Sequence, residues 1–234
     1  MTEMTPTQRR SHYDEVARYL ASIAPKITLT PEENDLIEDY VESHFENEKE
    51  RWHRSHKDNP REYKPFSDVD INIMHHQIAC EVGVCELLDM DYLPRHEWRE
   101  RKDMGVMRRD TMGVLFDTEV RVEMRHKGGA KGLYINKDDV AFGRIVLWGE
   151  VRLVECECAL CNDAPSRPET RVRLLGGVRA SQTLWDTTSP KVTYQKRKVT
   201  THFVPSDQLT SAYELKDDDG FPLVSLDEGI PEAV

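Results

Sequence analysis

Apolar residues recur at spacings of three and four along the first part of the chain and at spacings of two after residue 119, so the pattern predicts helices followed by strands. Residues 6–24 read as a helix that Thr7 can cap, with Tyr13, Val16, Ala17, Leu20 and Ile23 on one face. A longer helix is expected from Thr30 to about Lys57. Thr30-Pro31-Glu32-Glu33 supplies an N-cap, a proline at the first helical position and the glutamate of a capping box, ahead of Leu36, Ile37, Tyr40, Val41 and Phe45. Pro60 and Pro65 interrupt helical order and place a loop or linker at about 58–70.

Residues 71–92, INIMHHQIACEVGVCELLDMDY, predict a third helix, with Met74, Ile78, Cys85 and Leu88 on one stripe and Glu81 in its middle. A carboxylate inside an apolar stripe is costly unless a hydrogen bond, a cation or a metal compensates it. The plain alternative is a helix-edge glutamate that reaches water.

After the basic connection YLPRHEWRERKDMGVMRRD the period changes. Val120, Val122 and Met124 alternate with Arg121, Glu123 and Arg125 as a half-buried strand, Gly128-Gly129 turns the chain, and Leu133 to Asn136 returns as a second strand. Residues 140–148 read as a third strand, apolar enough to be central. Residues 149–161, 170–178 and 199–204 read as further strands. Helices first and strands afterwards predict an α+β (mixed α/β) class. The expected organisation is an N-terminal helical region at 1–64, a core domain at 65–205 and an acidic C-terminal tail at 206–234.

Composition narrows the setting. The chain has 234 residues, 38% hydrophobic and 32% charged, and no run approaches the roughly 18 consecutive apolar residues of a membrane span. The N-terminal MTEMTPTQRR lacks the order of a secretory signal, and five cysteines are odd and sparse for a disulfide framework, so a cytoplasmic setting is expected. The net charge of −11 argues against non-specific coating of nucleic acid, but it is unevenly spread. Residues 1–70 carry 10 basic and 16 acidic side chains, 95–131 carry 10 and 7, 132–203 carry 11 and 8, and 204–234 carry 1 and 8. A mildly basic middle is compatible with phosphate binding, and the acidic ends with a protein partner.

Candidate chemistry centres on Glu81, Asp117, Glu123 and Arg125. Carboxylates converging beside a cation are what a Mg²⁺- or Mn²⁺-dependent phosphodiesterase needs: hard oxygen ligands hold the ion, and a basic group stabilises the charged transition state. Asp117 and Glu123 are six residues apart, on the order of 20 Å on a straight strand at about 3.3 Å each, so a bend must lie between them, plausibly at Asp117-Thr118. The alternative is that Arg121, Glu123 and Arg125 form the solvent face of an amphipathic strand.

The segments HHQIACEVGVCELL, DTEVRVEMR, KDDVAFGRIVLW and HFVPSDQL, in this order, resemble the PD-(D/E)XK nuclease superfamily, especially its small phage-encoded members. The resemblance covers residues 71–148 and 199–209. It implies a restriction-endonuclease-like mixed sheet with flanking helices, hydrolysis of DNA phosphodiesters, Asp117 and Glu123 as metal ligands, Glu81 as an accessory ligand or orienter, and Arg125 in the catalytic lysine position. Arginine there departs from the pattern, because it stays charged and cannot accept a proton.

Cys156, Cys158 and Cys161 could bind Zn²⁺ or an iron–sulfur cluster, with Cys80, Cys85 or a distant histidine as the missing fourth ligand, but buried or edge thiols in a hairpin are the favoured reading. His53 and His56, His75 and His76 read as surface histidines. Lys191, Lys196, Arg197 and Lys198 around Tyr194 are candidates for phosphate contact, with a solvated loop preferred. Walker A, dinucleotide-glycine and nucleophile-elbow patterns are missing. Besides a nuclease, two other readings stand: a catalytically inactive protein of this fold that binds partners, and a small zinc-stabilised module.

Overall fold

The computed structural model describes residues 4–55, 67–93, 114–115, 118–124, 131–154, 169–192, 200–217, 220 and 222–224. Asp117, Arg125, Cys156, Cys158, Cys161, His56, Tyr194, Lys196, Arg197 and Lys198 lie outside them.

Helices α1 (Pro6–Ile23) and α2 (Pro31–Ser55) form where the periodicity places them. Thr5, not Thr7, caps α1: Pro6 takes the first helical position, and the Thr5 and Gln8 side chains close a capping box. Thr30 and Glu33 close the expected box on α2. The third helix, α3 (Asp68–Leu87), starts three residues before its expected position because Ser67 and Asp70 form a box of their own. Residues 77–85 of α3 are all buried. The single stripe expected there is replaced by burial all round, because α3 is sandwiched between α2 and a sheet.

That sheet contains β1 (Lys26–Thr28), β2 (Val120–Met124), β4 (Ile145–Val154), β5 (Glu169–Arg179) and β8 (Thr210–Ser211). The order is β1-β5-β4-β2, with β8 also on β5; β2 and β4 are parallel and the other pairs antiparallel. A second sheet, β3-β7-β6, is built from β3 (Gly132–Asn136), β7 (Thr200–Pro205) and β6 (Ser189–Val192). The architecture is α+β, N-terminal helices with a mixed sheet.

Two expectations need correction. The strand β3 does not return beside β2 as a hairpin; it pairs with β7 in the second sheet, so β2 gains its parallel neighbour β4 instead. Residues 137–141 are helical (α4, Lys137–Ala141), because Asn136 caps them and Asp139 completes a capping box, and the central strand begins only at Ile145. A final helix, α5 (Gln182–Thr187), and the short strands β1 and β6 carry too few residues for a periodic signal.

The large sheet has apolar clusters on both faces. Ile78, Val82, Val122, Leu147, Val172 and Leu174 pack on the α3 side, and Ala17, Leu20, Leu133, Val146, Trp148 and Val204 on the side of α1 and the second sheet. Ile37 from the N-terminal region and Leu215 and Val224 from the C-terminal region share the first cluster, so residues on both sides of 64 and of 205 build one core.

Candidate functional site

The chain turns back just before β2. The Leu115 amide donates to the Val120 carbonyl at 2.9 Å, and the Thr118 hydroxyl bonds both the Leu115 carbonyl and the Val120 amide. Val114 bridges Arg121 in antiparallel sense. Alternation then fixes the faces of β2: Val120, Val122 and Met124 join the cluster beneath α3, and Arg121 and Glu123 point to the other side.

On the α3 side, Glu81 is 4% exposed and accepts from the Gln77 Nε2 at 2.7 Å and from the Tyr92 hydroxyl at 3.2 Å. Gln77 Nε2 also lies 3.3 Å from the Val122 carbonyl, so the polar cluster ties helix to strand. Burial, then the charge of Glu81, holds the Tyr92 hydroxyl well above its usual range. Burial likewise pushes the Cys85 thiol up to about 12, and Cys80 also rises. Both are free thiols packed in α3.

On the opposite side a chain of charges runs between the sheets. Arg121 donates to Glu123 at 2.5 Å, to Asp139 at 3.0 Å and to the Tyr134 carbonyl of β3. The guanidinium of Arg144 lies 3.4 Å from the same Asp139 oxygen and 3.7 Å from Glu119. Asp139 is wholly buried, and its second oxygen caps α4 through the Asn136 amide. Burial alone would lower Arg121, but Glu123 and Asp139 outweigh it and hold the guanidinium above its usual range. The buried middle is neutralised, and the carboxylates of Glu119 and Glu123, 32% and 27% exposed, form its outer ends.

The structure does not bring Glu81 and Glu123 together: they stand against opposite faces of β2. The positions of Asp117, Arg125 and Cys156, Cys158 and Cys161 fall outside the described residues. Among the described residues no group of three or more histidine, cysteine or carboxylate side chains is arranged to hold a metal, and no helix is long and apolar enough to cross a membrane. Glu119, Asp139 and Arg144 were missed in sequence. Alternation could have found Glu119, on the same face of the chain as Arg121, whereas Asp139 was hidden by reading 140–148 as strand. Comparison of the chain with family models, curated proteins and solved structures yields no match.

Proposed function

We propose that the chain is a metal-dependent nuclease-like protein that hydrolyses DNA phosphodiester bonds, with Asp117 and Glu123 as its paired carboxylates. The observation that carries this reading is that Glu123, 27% exposed at the outer end of the chain of charges, stands beside the Arg121 guanidinium, a carboxylate next to a cation as phosphodiester hydrolysis needs, with Asp117 as the second carboxylate expected from the sequence. Their oxygen donors suit Mg²⁺ or Mn²⁺. A divalent cation held there would neutralise charge and activate water. Arg121, fixed by Asp139, keeps a positive charge beside Glu123. Arg125, in the position of a lysine, would stabilise phosphate charge and leave proton transfer to other groups. Glu81, on the far face, serves as a positioning residue that holds α3 against β2.

One observation favours a second reading, a catalytically inactive protein of this fold that serves as an accessory factor. Both described carboxylates already accept hydrogen bonds from the protein, Glu123 from Arg121 and Glu81 from Gln77 and Tyr92.

The test is cleavage of supercoiled plasmid and single-stranded DNA with Mg²⁺ or Mn²⁺ by the wild type, Asp117→Ala and Glu123→Ala, each verified as folded. Metal-dependent cleavage that disappears in both variants is the expected result. A folded wild type that cuts nothing transfers the weight to the accessory reading.

A further inference from the structure

The far end of the large sheet carries charge in a pattern that folding alone does not explain. In register across β1, β5 and β4, Lys26 stands beside Arg173 and Arg173 beside Glu150, while Thr28 stands beside Arg171 and Arg171 beside Arg152. Residues directly opposite in an antiparallel pair share a face. Val172 and Leu174 belong to the cluster under α3, so this row looks the other way, beyond the end of α1, where Arg173 donates to the Ala21 carbonyl. Lys26 and Thr28 are exposed, and the Arg152 and Arg171 side chains are 51% and 42% exposed.

Four cations thus share this end of the face with two described carboxylates, Glu150 bonded to Arg152 and Glu169 bonded to Arg171. Like charges placed directly opposite, as Arg152 and Arg171 are, cost stability. On a chain of net charge −11, a locally cationic sheet face fits a ligand with regularly repeated negative charge. Between this row and Glu123 the same face is covered, since Trp148, opposite Glu123 and four residues before Arg152, is buried in the cluster with α1 and the second sheet, so the row is a surface of its own.

We propose that Lys26, Arg152, Arg171 and Arg173, at the exposed end of this sheet face, bind the phosphate backbone of a nucleic acid strand. The inference rests on the nuclease reading only for its choice of polyanion; binding itself needs neither metal nor hydrolysis. The contact is with phosphates, so it is insensitive to base sequence.

The experiment measures binding of short duplex and single-stranded DNA to the full chain in EDTA, across a range of salt. Four phosphate contacts predict a log–log salt slope near −3.6, so affinity falls about 150-fold between roughly 50 and 200 mM salt. Arg152→Ala with Arg171→Ala halves that slope and leaves a fall of about 12-fold. Lys49→Ala, which removes an exposed cation of α2 paired with Glu46, leaves binding at the wild-type level. Lys26→Ala alone, on the outermost strand, lowers the slope by about 0.9 and covers the case in which the double variant unfolds. The proposal is overturned if the wild type does not bind DNA, if the arginine and lysine variants bind as the wild type does, or if Lys49→Ala loses as much. Because binding is read without a divalent ion, it does not depend on hydrolysis; Glu123→Ala that binds as the wild type does in EDTA but fails to cleave when Mg²⁺ is supplied reports separately on the hydrolytic reading.

Discussion

Arg121 of β2 donates to the backbone carbonyl of Tyr134 on β3, so one side chain joins two sheets that, among the described residues, share no strand pairing. The same guanidinium neutralises Asp139, which is 0% exposed. Removing it leaves this buried carboxylate, among the described residues, with the more distant cation Arg144.

Arg121→Met therefore destabilises the fold by about 3 kcal/mol, since breaking a buried pair strands its partner. In a chain of this size that lowers Tm by roughly 6–12 °C. Asp139→Asn added to Arg121→Met should recover part of the loss by removing the stranded charge. Thermal unfolding of the two variants checks this; equal losses would show that Asp139 does not depend on Arg121.

Glu81→Leu deprives the Gln77 amide and the Tyr92 hydroxyl of their acceptor and costs about 2–3 kcal/mol. Tyr92→Phe in addition should cost little more, because the orphaned hydroxyl goes with it. Denaturant titration of single and double variants gives the coupling. A Glu81 variant of unchanged stability would mean that the cluster does not hold α3 to β2.

Close packing gives a third expectation. A Cβ at Gly83 would lie 2.6 Å from the Cβ and Cγ2 of Val172, so Gly83→Ala forces α3 away from β5 and costs about 1–3 kcal/mol. Val172→Ala introduced with it should relieve the clash. Unfolding of the double variant would then be less impaired than the sum of the singles.

The pH dependence has a definite sign at His75. Burial lowers its pKa, and Glu38 offsets this only in part. The unfolded chain takes up the proton more readily, so the contribution of the neutral imidazole is in place above pH 6.5 and is lost as pH falls below that value. His75→Gln should flatten the fall in stability below pH 6.5, as followed by Tm against pH.

Thiol chemistry supplies a fifth check. With Cys85 pushed up to about 12 and Cys80 raised as well, both should stay unmodified by iodoacetamide at pH 8 in the folded chain and react once it is unfolded. Peptide mass spectrometry reads each site separately.

What was legible in the sequence was local. Thr30-Pro31-Glu32-Glu33 announced α2, and the alternation of Val120, Val122 and Met124 announced β2 with its correct inward face. The misreadings arose where tertiary cover decides. Arg121 alternates as a solvent residue would, yet it is 5% exposed because the second sheet lies over it. Val140 and Ala141 look like the start of an apolar strand, yet Asn136 and Asp139 divert them into a helix. The basic row of Lys26, Arg152, Arg171 and Arg173 could not be read at all, since only strand register brings these distant positions side by side. Of the candidate site, the place of Glu123 on β2 was foreseen, whereas the separation of Glu81 from Glu123 by the sheet depends on which side α3 packs.

The strands β1 and β8 pair with successive stretches of the same side of β5, β1 at Arg171 to Arg173 and β8 at Gly176 and Gly177. An early segment and a late one therefore jointly seal one margin of the sheet. A fragment that lacks either would leave part of the β5 backbone unsatisfied, and such a margin invites strand exchange or stacking between molecules. Maturation of the fold must then wait for the last of these segments, so a growing polypeptide exposes an adhesive border until synthesis has passed Ser211.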